Sequence, residues 1–348
     1  MPTAPFECPK HMEYGPCGGV ELDGSCEVSP RRCAFLDLPT VGWRGVVSDE
    51  QPRPADPVPA PVPSAGGERM RELLRAKQVV VADFPARALD AASIEECAGI
   101  LRGRVDAVLA GDSGSARVQF PPSYRAHLIH SSGLPVWSGF TCRDRNRVAM
   151  EGELAGLAHV GVAGVHCVTG DYTETGSRPD AAAVFDLDST EAASLARAAG
   201  HLVSVGEAPA TPPVDRRPGR LLEKMHAGAE VCFVNHAGGA APVADFIARA
   251  QDLGATMAFI PCIPVVVDRE SAELLRSFTT LVLPEGYLDR ILGAADPFAE
   301  GLAAAVELGR ELLAIDGVRG VNLSGGAGPG REAWYAEALA LISDHLDG

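Results

Sequence analysis

The chain has 348 residues, more than one compact core ordinarily holds, although an eight-unit α/β barrel of about 250 residues forms a single domain. With 46% hydrophobic residues it can bury a sizeable core, which excludes disorder over the whole length. A net charge of −16 excludes general attraction to nucleic-acid phosphates or anionic membranes, and no apolar run approaches the roughly 20 residues of a membrane-spanning helix.

Residues 1–10 lack the basic-then-apolar order of a secretion signal, so the chain is expected in the cytoplasm. There its nine cysteines mean metal binding or core packing rather than disulfides. Cys8, Cys17, Cys26 and Cys33 crowd one short stretch with the spacing C-x8-C-x8-C-x6-C, among glycines and an Asp23-Gly24 turn. The other five stand singly in apolar runs and read as small buried hydrophobes. Residues 1–43 are too few to fold on apolar burial alone, so a metal held by the four thiolates is the expected source of stability. The absence of C-x2-C knuckles leaves zinc and a [4Fe–4S] cluster both open.

Residues 44–68 read as a linker, with prolines at 52, 54, 57, 59, 61 and 63 that favour an extended spacer. From 69 to 348, short Val- and Ala-rich runs alternate with longer segments of helical period. Eight such runs fall at 78–84, 106–111, 134–141, 164–170, 202–206, 230–235, 256–263 and 318–323. Helical stretches are expected at 147–159, 241–253, 297–315 and 331–346. Continuous apolar strands joined by helices require a parallel sheet, and eight of them predict a (β/α)8 barrel, an α/β fold here preceded by the small cysteine-rich domain.

Barrel chemistry sits at the carboxyl ends of the strands. Those ends offer Asp83, Asp112, the segment Thr141-Cys-Arg-Asp-Arg-Asn146, Thr169-Gly-Asp171, Glu207, Asn235 with His236, and the glycine-rich 325–330 loop, whose backbone has the look of a phosphate cradle. Asp144 is placed to cap the helix that follows Thr141.

Thr141-Cys-Arg-Asp-Arg-Asn146, Val168-Thr-Gly-Asp171 and Val184-Phe-Asp-Leu-Asp-Ser189, in that order, resemble the methylenetetrahydrofolate reductase family. Asp112 with Pro121-Pro122, and Lys224 in the 221–229 segment, support the likeness. Gly15-Pro-Cys-Gly-Gly19 and Cys26-Glu-Val28 resemble the small cysteine module found with some members and with a partner subunit of acetogen reductases. The resemblance implies FAD or FMN lying across the barrel mouth, reduced by a nicotinamide or by an electron-donor protein or second subunit, and passing hydride to a tetrahydrofolate-type substrate. It assigns Thr141, Thr169, Gly170, Asp171 and Lys224 to the flavin, with Asp171 at its pyrimidine edge and so also catalytic. It assigns Asn235 and Asp112 to the substrate. The family's proton-donating glutamate falls on Ala82, which leaves Asp83 as the candidate acid, aimed inward only if a bulge re-aims it. The alternative is a folate- or corrinoid-pathway binding or methyl-transfer component with a structural metal and no reductase turnover. A homo-oligomer is compatible with either.

Overall fold

The computed structural model describes residues 8–45, 62–111, 116–277 and 280–346. The Pro-rich stretch expected as linker falls largely on 46–61, and Asp112 on 112–115, both outside the described residues.

The amino-terminal module carries a two-strand antiparallel pair, β1 (Ser25–Cys26) and β2 (Ser29–Arg32). Helix α1 (Ala65–Ala76) follows, capped by the Ser64 side chain, so residues 65–68 are helical rather than linker. Then comes a closed barrel of eight parallel strands. They are β3 (Val79–Asp83), β4 (Ala107–Ala110), β5 (Val136–Thr141), β6 (Gly164–Val168), β7 (Val203–Glu207), β8 (Val231–Val234), β9 (Ala258–Pro264) and β10 (Gly320–Ser324), with β10 pairing β3 to close the ring. All eight expected runs are strands.

Helices α2 (Ala91–Leu101), α3 (Pro122–Ser131), α4 (Arg147–Val160), α5 (Ser189–Ala198), α6 (Arg217–His226) and α7 (Ala240–Asp252) cross between strands. Between β9 and β10 the crossover holds α8 (Arg269–Arg276), α9 (Tyr287–Leu292) and α10 (Pro297–Leu313), and α11 (Glu332–Leu346) ends the described chain. Among the described residues no helix is long and apolar enough to cross a membrane.

Strand alternation sorts the side chains into two cores. Val80, Ala82, Val108, Phe140, Val165, Val205, Cys232 and Leu323 face the helices. Val79, Val81, Ala107, Trp137, Val231, Phe233 and Ile260 fill the barrel, where Met70 and Leu74 of α1 join them and stopper its amino-terminal end. Trp137 meets Phe233 edge-on at 5.3 Å. Its indole needs Gly164 on the neighbouring strand, where a Cβ would approach Trp137 Nε1 to 2.3 Å. Of the five scattered cysteines, Cys97, Cys142, Cys167 and Cys232 are buried and Cys262 partly so, as small core residues should be.

One expected cap is corrected. Helix α4 starts at Arg147, so its cap is Asn146, whose side chain accepts from Ala149 N at 3.1 Å; Asp144 lies two residues too early and instead takes a two-pronged bond from Arg143 at 2.8 and 2.7 Å.

Candidate functional site at the barrel mouth

Asp83 ends β3 on the same side as Val79 and Val81, so it points into the barrel, while Ala82 is packed in the helix-facing core. The β3 register runs unbroken against β10 and β4, so no bulge is needed to aim Asp83 inward. The inward carboxyl at this mouth is therefore one residue beyond the position where the family carries its acid. Asp83 Oδ1 accepts from Asn322 Nδ2 at 2.9 Å and Oδ2 from Gly325 N at 3.1 Å. Burial raises its pKa above the usual carboxylate range, and bonds from Asn322, Ser324 and Gly325 oppose that rise. Asn322 Nδ2 also reaches Cys262 Sγ at 3.6 Å. Deeper in the barrel His166 bonds Ser204 Oγ at 2.9 Å, and burial lowers its pKa to about 3, so the ring is neutral.

The glycine-rich 325–330 loop backs Asp83 and does not form an anion cradle. Gly325 N is taken by Asp83, and the Glu270 carboxylate lies so close to Gly328 that a Cβ there would sit 1.9 Å from its Oε2. His236 turns from the mouth toward the helix layer, lining a cavity of about 10 Å³ with Val243, Leu308 and Leu312, and burial lowers its pKa to about 4.

The residues assigned to a flavin lie at the ends of β5 and β6, except Lys224. Thr141 is fully buried; its Oγ1 accepts from Arg143 N at 3.1 Å and bonds Thr169 O at 3.4 Å. Gly170 has φ +90°, and a Cβ there would meet Thr141 Oγ1 at 2.2 Å. These groups meet the cysteine module, which is seated over them. Lys10 Nζ donates to Gly170 O at 2.7 Å, and Thr169 Oγ1 to Met12 Sδ at 3.6 Å. Lys10 also pairs with Glu27 at 2.5 Å, and Glu27 accepts from Tyr172 N at 3.0 Å. Asp171 is half-exposed, with Arg117 Nη1 at 4.0 Å. Asn235 is exposed at the end of β8.

Lys224 is elsewhere. It lies on α6 behind β7, where its ammonium donates to Gly206 O at 2.6 Å and to Oε2 of the buried Glu207 at 2.8 Å. Arg217 bonds the other Glu207 oxygen at 3.1 Å, and burial, which alone would raise the Glu207 carboxyl, is outweighed by Lys224 and Arg217, so the group is held below its usual range. Arg220 completes the row, fully buried 3.7 Å from Asp188, which caps α5. The sequence reading missed this network. Its signal was the three- and four-residue spacing of Arg217, Arg220 and Lys224, which places three cations along one face of α6.

In the thiol cluster, backbone N–H groups are directed at sulfur. Gly19 N donates to Cys17 Sγ at 3.4 Å, Lys10 and Met12 N–H groups serve Cys8, and Phe35 N–H serves Cys33. Such donors favour the thiolate. Burial raises the Cys8 pKa and pushes Cys33 up to about 11, with repulsion from the other cysteines adding to both. Sulfur with backbone N–H donors is the chemistry a thiolate-held metal uses, but the net shift at Cys8 and Cys33 is upward, and among the described residues no three His, Cys, Asp or Glu side chains converge as a ligand set.

Fold and site together define an α/β barrel whose mouth, at the carboxyl ends of the strands, is roofed by a four-cysteine module. Residues 3–40 of that module match the family described as "Methylene-tetrahydrofolate reductase C terminal". Among solved structures the chain is similar to a protein from Clostridium thermocellum, described as uncharacterized and as binding two copies of 5-methyl-5,6,7,8-tetrahydrofolic acid. The TM-score is 0.56 at 12% identity, over 79% of this chain and 97% of that one. Looser likenesses are to 2,3-dimethylmalate lyase, a PEP mutase/isocitrate lyase superfamily member (TM-score 0.43, 17% identity, 73% and 88% covered), and to the carboxyl transferase domain of Rhizobium etli pyruvate carboxylase (0.46, 12%, 81% and 51%). No curated protein matches the chain in sequence. The module match and the barrel are consistent with a methylenetetrahydrofolate reductase-like barrel protein.

Proposed function

We propose that the chain is a one-carbon protein that binds a tetrahydrofolate-type ligand at the barrel mouth, with Asp83 as the recognising carboxyl and the four cysteines holding zinc or an iron–sulfur centre. The observation that carries this reading is the inward, half-buried Asp83, steadied by Asn322 and Gly325. A carboxylate has about four acceptor positions; Asn322, Ser324 and Gly325 occupy three, and one remains for an N–H of a reduced pterin. Its raised pKa also suits it to hold a proton for a ligand nitrogen. The C. thermocellum protein's methyltetrahydrofolate and the match over residues 3–40 both favour a folate-type ligand.

The flavin reading fits this arrangement poorly. Lys224 is bonded to Glu207 and to Gly206 O behind β7, away from the groups at the ends of β5 and β6 with which it would have to act. The reading therefore favours ligand binding or methyl transfer over flavin-dependent reduction. Calorimetric titration of the full chain with 5-methyltetrahydrofolate tests it. Saturable binding should weaken about 10- to 100-fold in Asp83→Ala, the loss of one charge-assisted contact of about 1.5–3 kcal/mol. No binding to the wild type sinks the proposal, and stoichiometric uptake of FAD would restore the flavin-dependent reductase. Elemental analysis should find zinc or iron, diminished in Cys17→Ser.

A further inference from the structure

We infer that the cysteine module is a displaceable cover: it closes the barrel mouth over the ends of β5 and β6 and must swing away before a ligand can reach Thr169, Gly170 and their neighbours. The inference stands apart from the identity of the metal and of the ligand.

Three observations carry it. The first is where the module sits: Lys10 bonds Gly170 O, Met12 meets Thr169 and the His11 ring nitrogen lies 3.0 Å from Phe185 O. These loops follow the carboxyl ends of the strands, the end at which barrels of this kind bind their ligands.

The second is what holds it there. Arg217 reaches Pro16 O at 3.5 Å and Cys17 O at 3.1 Å, Thr280 reaches Gly18 O at 3.3 Å, and Arg216 bonds the carbonyls of Phe35, Leu36 and Leu38. The buried apolar side chains of the module, Met12, Tyr14, Val20, Phe35 and Leu36, belong to none of the three apolar clusters of the barrel. An interface made mostly of hydrogen bonds to main-chain atoms, the Tyr172 N–H to Glu27 among them, can exchange them for water, which is the composition of contacts that form and break.

The third is what closure leaves beneath it. The Arg220 side chain is 1% exposed, yet none of its three guanidinium nitrogens has a hydrogen-bond partner among the described residues, and Asp188 Oδ2 beside it is also unbonded. Gly15 of the module presses on this arginine; a Cβ on Gly15 would come within 2.8 Å of Arg220 Cδ. Asp188 gives Arg220 a counter-charge at 3.7 Å but no hydrogen bond, and burying a guanidinium whose N–H groups are unbonded is unfavourable, so closure is opposed at Arg220 while it is favoured at Lys10 and Arg216. An element with contacts of both signs is suited to two positions.

Hydrogen exchange followed by mass spectrometry on the full chain decides the matter. Lys10→Ala and Arg216→Ala should each raise exchange about tenfold in amides of 169–176 and 183–190, whereas amides of β3 and β10 stay as in the wild type. Metal content shows whether the module stays folded; if Lys10→Ala loses metal, Arg216→Ala, whose bonds to the module are all to carbonyls, is the deciding variant. Unchanged exchange in these segments in Arg216→Ala and in the double variant would overturn the cover and make the module a fixed wall. The same samples titrated with 5-methyltetrahydrofolate keep the two proposals apart. Faster association in the variants supports the cover, and faster exchange without any folate binding leaves the cover standing while removing the proposed ligand.

Discussion

In the barrel wall, Trp137, Phe233 and Ile260 meet Met70 and Leu74 with no polar atom required, whereas a few ångströms beyond the strand ends the module is fastened by Lys10, Arg216 and Arg217 reaching main-chain carbonyls. The wall gains from removing apolar surface from water, a term that any opening loses at once. The module's bonds have water as a substitute. One chain thus holds a rigid scaffold and a cover whose attachment is weak by composition, and the ligand groups lie between them.

The largest effect is expected in the wall. Trp137→Ala removes the biggest fully buried side chain and leaves a cavity facing Phe233 and Gly164, at a cost of about 3–5 kcal/mol in urea unfolding. A loss below about 1 kcal/mol would mean that the barrel interior can collapse around the gap, and the contrast with the module would fail.

Next comes Glu207→Gln, at the border of the two regions. It leaves the buried Lys224 and Arg217 without their anion, and removing one partner of such a cluster typically costs about 3–5 kcal/mol. The expected loss lies near the lower bound, because Lys224 keeps Gly206 O and Arg217 keeps Thr211 O and Pro212 O. A neutral outcome would show that water already reaches this network under the module.

A smaller effect is set by pH. His166 has a folded pKa of about 3 against 6.5 unfolded, so between those values the unfolded chain binds more protons and stability falls as pH is lowered through 6.5. At pH 5 the contribution is a loss of about 2 kcal/mol relative to pH 8. His166→Gln should flatten that part of the stability profile, and an unchanged slope would place water beside the ring.

The same contrast explains what the sequence disclosed. Eight strands were legible because each is largely apolar, and the candidacy of Asp83 followed from its place at a strand end; its inward aim did not, because a bulge was expected and the β3 register has none. The start of α1 was obscured because Ala65-Gly66-Gly67 reads as linker; those glycines serve close packing, since a Cβ on Gly66 would lie 2.1 Å from Gly161 O. The resemblance assigned Lys224 to the flavin, and the sequence carries no mark of the carboxylate it pairs with, since Glu207 lies 17 residues away. The docking of the module was invisible, because most of its contacts have a main-chain carbonyl or N–H as one partner, groups that nearly every residue possesses.

The smallest effect expected is the one that most directly tests the division. If the wall is independent of the cover, a chain beginning at residue 62, which keeps the Ser64 cap and α1, should fold to the same barrel. Its stability should differ from that of the full chain by under about 2 kcal/mol, because the module adds no side chain to the barrel's apolar clusters and water can replace each bond it makes. Arg220 and Asp188 should even gain, since solvent reaches groups that the closed module leaves unbonded. Thermal unfolding of the two chains, with near-ultraviolet circular dichroism to report the packing of Trp137, makes the comparison. A shortened chain with intact dichroism and a small shift in Tm keeps wall and cover separate. One that loses the Trp137 signal would show that the module is part of the barrel's core after all, and that the polar contacts at the mouth act together with a coupling their individual composition does not reveal.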